Sequence, residues 1–395
     1  MKLFEKIFDE ESEQEVIKIF NVPVCKIYSN TYIKEVKILF GFIRVLKEYF
    51  NDKKLSITFK IPIFFKYLHF GIFFDVYKNK LKKIEYYLKK IPKQYDDVFV
   101  LNSCIGECFL FLNNFKKYIE KNKTPNYIFV ALKKVHVDLI KMLCPDVPYV
   151  VIPELFYFLN EDLNEYSFKQ KFHIFYEPQY FVNVENNMRQ KPVETVHFLD
   201  FILKKMNFTV EEFKMQNIQV SSEEEQNVLR KAKKCGLNIN NFIFVSNETT
   251  SAEKNETEFW KEIIKDFRIQ GYDIFQNAVN KNNFLLGAKH FNLSLKEALI
   301  LSRYAKSILM YRSGLSDVLS LNRKNMHLIY TDFKERGFFA QLSSDKVLAG
   351  FTLRKLPFIN SDLIYEYDYN KYKNKKELKD IIIKNVNKGD VPDGK

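Results

Sequence analysis

Three short turns hold the residue types that could do chemistry. The first is Arg312-Ser313-Gly314-Leu315-Ser316-Asp317. Gly314 permits close backbone approach, Ser313 and Ser316 supply hydroxyl donors, and Arg312 supplies a charged fork of the kind that holds a diphosphate. The turn from Arg312 to Ser316, Leu315 included, is assigned to that anion. Asp317 would instead cap the following helix or accept from a sugar hydroxyl. The second turn runs from Ser246 to Ser251, where Asn247, Thr249 and Thr250 offer further diphosphate contacts. Its plainer reading is an N-cap cluster for the next helix. The third turn is Asn102-Ser103-Cys104-Ile105-Gly106-Glu107. Glu107 stands where a loop enters a helix, and a carboxylate there could take a proton from an acceptor hydroxyl. Ser103 and Gly106 would shape that loop. The plainer reading of Glu107 is a capping or surface carboxylate.

Other chemistries lack their residues. The six histidines are scattered, and HExxH, Walker A, GxSxG, DxD and strand–GxGxxG–helix patterns are all missing. Zincin, P-loop, serine-hydrolase and nicotinamide-dependent readings therefore have no support. Cys104 and Cys108 lack the second close pair of a zinc site, so no metal is assigned. Five cysteines form no disulfide framework, and reduced thiols are expected.

The elements that must position these turns come in two alternating blocks. The first has apolar β-rich runs at 97–101, 127–132 and 147–152, with helical patterns at 102–120 and 133–144. The second has strands at 242–246, 272–276, 307–311 and 326–330. Helices lie between them, including Leu293–Ala305, whose Ser294 and Glu297 have capping-box spacing. Short buried strands separated by helices imply parallel sheets, whose ligands bind at strand carboxyl ends. All three turns lie there. Helices at 197–206 and 221–235 join the blocks, and 184–197 reads as a linker.

The first 80 residues differ. FNVPVCK (20–26), FGFIRVLK (40–47), FKIPIFFK (59–66) and FGIFFDVYK (70–78) repeat a Phe–apolar–Lys pattern of short strands, read as irregular hairpins on the first domain. The expected organisation is thus a β-rich basic extension (1–95), an acceptor-side domain (96–195), a donor domain (196–345) and a C-terminal segment with a polar tail (346–395).

The chain has 395 residues and a net charge of +13, with 46% hydrophobic residues and few Gly or Pro. That composition excludes disorder and collagen-like chains. A/T-rich codon usage would raise Lys, Asn, Ile, Phe and Tyr together, so the distribution of charge tells more than its total. Residues 77–93 hold seven lysines against Glu85 on an amphipathic helical pattern, which suits an anionic membrane surface; an ordinary lysine-faced surface helix is the alternative. Acidic residues break up the N-terminus, and no run is long and apolar enough to span a bilayer. A cytoplasmic location is expected, peripheral on the inner membrane face, with no nucleic acid as partner.

Taken in order, these segments resemble bacterial glycosyltransferases of the GT-B fold, especially heptosyltransferase-like members of surface-polysaccharide assembly. The segments are His197 opening a helix, FIFVSNETTS (242–251), Trp260, GYDIFQ (271–276), the run 293–320 ending in RSGLSD, MHLIYTD (326–332) and VFVLNSCIGECF (98–109). The resemblance implies an α/β architecture of two Rossmann-like domains facing across a cleft. It implies a metal-independent transfer, without cofactor, from a nucleotide-diphosphate sugar to a glycan or lipid-linked acceptor, with Glu107 as base. The chain departs from heptosyltransferases at RSGLSD, where they place Asp-Ser/Thr-Gly and a following His. Glu107 replaces their usual Asp. An epimerase on the same fold and a transferase-like scaffold without activity are the alternatives.

Overall fold

The computed structural model describes residues 83–156, 170–173, 197–249, 257–278, 284–333 and 343–388, the strands between 4 and 74, and the backbone at a few element ends. The chain divides into two compact units, 1–91 and 92–395.

The first unit is a seven-stranded antiparallel meander. Strands β1 (Phe4–Asp9), β2 (Gln14–Ile19), β3 (Val22–Ser29), β4 (Lys34–Ile38), β5 (Ile43–Lys47), β6 (Leu55–Ile63) and β7 (Lys66–Phe74) pair in chain order. The four Phe–Lys repeats fall on β3, β5, β6 and β7. The extension is β-rich as expected. Its strands form one regular sheet, however, because each hairpin joins nearest neighbours in sequence. Helix α1 covers 83–88, with Ile84 and Ile91 buried and Lys83, Lys89 and Lys90 exposed. Residues 77–82 of the expected basic helix lie outside the described residues.

The second unit carries two parallel sheets. The first sheet is built from β8 (Asp97–Leu101), β9 (Tyr127–Ala131), β10 (Tyr149–Val151) and β11 (Lys171–Ile174), in the order β10-β9-β8-β11. Helices α2 (Ile105–Asn113), α3 (Phe115–Asn122) and α4 (Lys134–Leu143) connect its first three strands. Phe99, Phe111, Phe115 and Phe129 pack in its core, with Phe99 and Phe115 edge-to-face at 5.0 Å. Helices α5 (Phe198–Met206) and α6 (Ser222–Lys234) follow, the latter opened by a Ser221–Glu224 capping box.

The second sheet contains β12 (Phe242–Ser246), β13 (Asp273–Gln276), β14 (Ser307–Tyr311), β15 (Met326–Tyr330) and β16 (Ile364–Asp368), ordered β13-β12-β14-β15-β16. Its helices are α7 (Thr257–Ile269), α8 (Leu295–Ser302), α9 (Gly314–Leu319), α10 (Ser344–Phe351) and α11 (Lys375–Lys388). The expected Ser294–Glu297 capping box opens α8. Strands β12, β14 and β15 are buried along their whole length, which is why they read as continuous apolar runs. Trp260 on α7 is buried and donates to the Tyr311 hydroxyl at 2.6 Å.

Two features correct the sequence reading. The second sheet runs past residue 345, because β16 pairs in parallel with β15, Met326 opposite Ile364. The segment expected as a polar tail is helical as far as residue 388. Leu378, Ile382 and Val386 are buried on α11, and Lys379 bridges Glu262 and Asp266 on α7 at 3.2 and 2.8 Å. Two separate α/β sheets within one unit match the expected pair of Rossmann-like halves.

Candidate functional site

The site is made of two strand–turn–helix corners. In the first half, β8 delivers the chain through Asn102, Ser103 and Cys104 into α2. Glu107 falls in the first helical turn, where the exposed amide groups favour a negative charge. The turn is braced from beneath by His136. Its Nδ1 accepts from the Leu132 amide at 3.3 Å, so the ring proton is assigned to Nε2, which donates to the Ser103 carbonyl at 3.0 Å. Burial holds His136 down to about 4, so the ring is neutral near pH 7. Asn102, Ser103, Glu107 and Lys205 share the wall of a cavity of about 30 Å³ with apolar residues of α2 and α5. That is room for water rather than for a sugar.

In the second half, β14 leads through Arg312 and Ser313 into α9. Here the charges are buried. Arg312 meets both oxygens of Asp317, at 2.9 Å through Nη1 and 2.8 Å through Nη2, with side-chain exposures of 7% and 1%. Its Nε donates to the Phe351 carbonyl at 2.8 Å, and Nη1 also reaches the Ser313 carbonyl and the Ser316 hydroxyl. Phe198 lies beneath the guanidinium, 5.2 Å from it. Burial raises Asp317 to about 6, opposed by the adjacent guanidinium, while Glu107 adds a further upward push. The fork read from sequence as a diphosphate contact is therefore directed inward, where it ties the turn to α9 and to the end of α10. Ser316 is likewise buried and bonded to Ser313. Ser313, Gly314 and Leu315 remain partly accessible.

The two corners meet. A Cβ at Gly106 would lie 2.3 Å from the Asp317 carboxylate, and one at Gly314 would lie 2.5 Å from the Gly106 amide nitrogen. Only residues without a side chain let these helix ends approach so closely. The carboxyl edges of the two sheets thus face each other through the N-termini of α2 and α9. Sequence reasoning found both glycines for their turns but missed this mutual contact. It also missed the Arg312–Asp317 pair and the His136 brace. The only signal for the pair was an Arg and an Asp five residues apart around one helix start.

The Ser246–Thr249 turn sits beside the second corner, because β12 neighbours β14 with Ser246 opposite Met310. Asn247 accepts from Gln276 at 2.7 Å, and Thr249 is partly accessible. Thr250 lies outside the described residues. The structure thus gathers Asn247, Thr249 and the 312–317 turn at one sheet edge, and brings Gly106 and Glu107 against the same corner, while Ser103 lies in the turn before them.

No family model and no curated protein matches the sequence. Glycosyltransferases are among the solved structures that resemble the chain. A glycosyl transferase family 9 structure from Veillonella parvula DSM 2008 is 11% identical, covers 75% of this chain and 98% of its own, and has a TM-score of 0.45. The E. coli ADP-heptose LPS heptosyltransferase II is 10% identical over 74% of this chain and 99% of its own, with a TM-score of 0.47. An iron-containing dodecameric glycosyltransferase from enterotoxigenic E. coli H10407 is 14% identical over 70% of this chain at a TM-score of 0.39. The present chain spans 64% of that protein. The resemblance expected from the sequence, to heptosyltransferase-like glycosyltransferases, is the one found. All three TM-scores lie below 0.5, so the functional reading rests on the residues themselves.

Proposed function

We propose that the chain is a glycosyltransferase that moves a sugar from a nucleotide-diphosphate donor to a glycan or lipid-linked acceptor. The observation that carries this reading is the meeting of two sheet edges from separate α/β halves. One presents a carboxylate in a first helical turn, and the other presents hydroxyls and turn amides. In this reading Glu107 takes the proton of the acceptor hydroxyl as that oxygen attacks the sugar carbon. The diphosphate leaves with its charge met by Thr249, Asn247, the Ser313 hydroxyl and the backbone of Gly314 and Leu315. Arg312 and Asp317 hold that backbone in place. The Gly106–Gly314 contact leaves no room for a sugar, so substrate entry requires the halves to part, and closure then excludes water. No metal or cofactor has a role in this proposal.

The test is a thermal-shift screen of UDP-, GDP-, ADP- and CMP-sugars, followed by a transfer assay on the one that binds. A raised melting temperature and acceptor-dependent loss of donor are expected. Product formation without an acceptor would point to an epimerase. The inward-directed Arg312 favours a second reading, a transferase-like scaffold, and a screen in which no nucleotide sugar binds would select it. A tether through the lysines of 77–93 to an anionic inner-membrane surface belongs to the same proposal. Replacing those lysines by Gln should weaken binding to anionic vesicles.

A further inference from the structure

A second basic site lies at the opposite end of the second half. A groove of about 780 Å³ runs between the 213–218 loop, the end of α8 and the 3-10 turn after α9. Its lining includes Lys214, Arg303 and Arg323 and no acidic side chain. These residues precede β14 and β15, so they lie at the amino ends of the strands, whereas the candidate transfer site is at the carboxyl ends.

The groove is built rather than incidental. Its loop wall is pinned to the end of α2: the Lys214 amide donates to Asn114 at 2.8 Å, and the Gln216 amide donates to Asn113 at 3.1 Å. On the other wall, Asn322 donates to the Leu299 carbonyl and the Ser302 hydroxyl, at 2.7 and 2.6 Å, and accepts from Arg303 Nε at 3.4 Å. Arg323 is held in a left-handed conformation at φ 50°. Phe213 and Phe358 stack at 6.4 Å to give an apolar wall. Lys214, Arg303 and Arg323 give the groove a positive lining, which an anion would complement. Arginine pairs match phosphate oxygens, and an aromatic wall accepts the face of a ring. The volume is that of a small-molecule site.

We infer that this groove binds a phosphate-bearing ligand with a ring, a phosphorylated sugar or a phosphorylated lipid headgroup, at a place separate from the transfer site.

The test uses the full chain and two probes, ribose 5-phosphate in titration calorimetry and phosphatidylglycerol vesicles in co-sedimentation. The groove variant is Arg303→Gln with Arg323→Asn, since Asn tolerates the left-handed backbone. Lys214→Gln alone is the second variant, as that side chain is exposed. The control is Lys376→Gln with Lys384→Gln on the exposed face of α11, which removes equal charge elsewhere. We expect affinity for at least one probe to fall about tenfold or more in the groove variant, at an unchanged melting temperature, and to persist in the control. Lys214→Gln should weaken it in the same direction. Loss with ribose 5-phosphate identifies a soluble ligand, and loss with vesicles alone identifies a headgroup. No binding of either probe, or equal weakening by groove and control variants, overturns the inference. Thr249→Val, at the transfer site, should leave this binding intact; a loss there would move the phosphate to the other site.

Discussion

The β8–α2 and β14–α9 corners share a plan and differ in chemistry. Both leave a parallel strand through a short turn, both place a glycine in the first helical turn, and each glycine presses on the other corner. Yet the first corner carries its charge on the partly accessible Glu107, over a turn held by a neutral histidine. The second corner has drawn its charges inside, where Arg312 and Asp317 satisfy each other. In the proposed transfer the first corner exchanges a proton with the acceptor, and the second is a frame that meets the leaving diphosphate with its backbone and surface hydroxyls.

The sharpest way to break this contrast is Asp317→Ala, which leaves a buried guanidinium without its carboxylate. It should cost about 3–5 kcal/mol in urea unfolding. A loss under about 1 kcal/mol would mean that the second corner is no frame. Glu107→Gln is the converse. Turnover should fall about 100-fold or more while the unfolding midpoint stays put, and retained turnover would remove the base from the first corner. Gly314→Ala inserts a methyl against the Gly106 backbone and should cost about 1–3 kcal/mol. A neutral outcome would show that the corners separate freely.

The smallest effect is a pH dependence. His136 is held at about 4 by burial, below its ordinary 6.5, so the unfolded chain binds the extra proton first. The stability gained from the neutral ring is complete above about pH 6.5 and is lost as pH falls through 4. His136→Gln should flatten that slope between pH 6.5 and 4. An unchanged slope would locate the acid sensitivity elsewhere, for instance at His327, which burial likewise holds down, to about 3.

The elements read most clearly in the sequence were those whose burial leaves a compositional trace. Strands 242–246, 307–311 and 326–330 are largely apolar because they are buried along their whole length. Strand β11 sits at the edge of the first sheet with the sequence KFHI, and β16 reads IYEYD at the edge of the second. Half-polar edge strands carry no such signature, and both went unread. The α11 helix was hidden by its lysines, since a charged face dominates composition even when Leu378 and Ile382 are fully buried. At the site, residue types and turns were legible. Their direction was not, because whether an arginine points outward depends on a carboxylate one helical turn away and on Phe198 from another element.

The position of β16 has a consequence for how the chain comes to exist. The strand on the outer side of β15 is separated from it by a short two-stranded ladder (Phe333–Lys334 with Gln341–Leu342), α10 and two 3-10 turns, and the helix covering the same sheet ends at residue 388. During synthesis that side of the second sheet therefore stays unfinished until residues 364–388 have emerged. The first sheet has all of its described strands much earlier. Domains fold as units as they leave the ribosome, and exposed strand edges invite wrong pairing. The first half has a long head start, and premature termination after β15 should yield a chain that aggregates rather than a smaller folded protein.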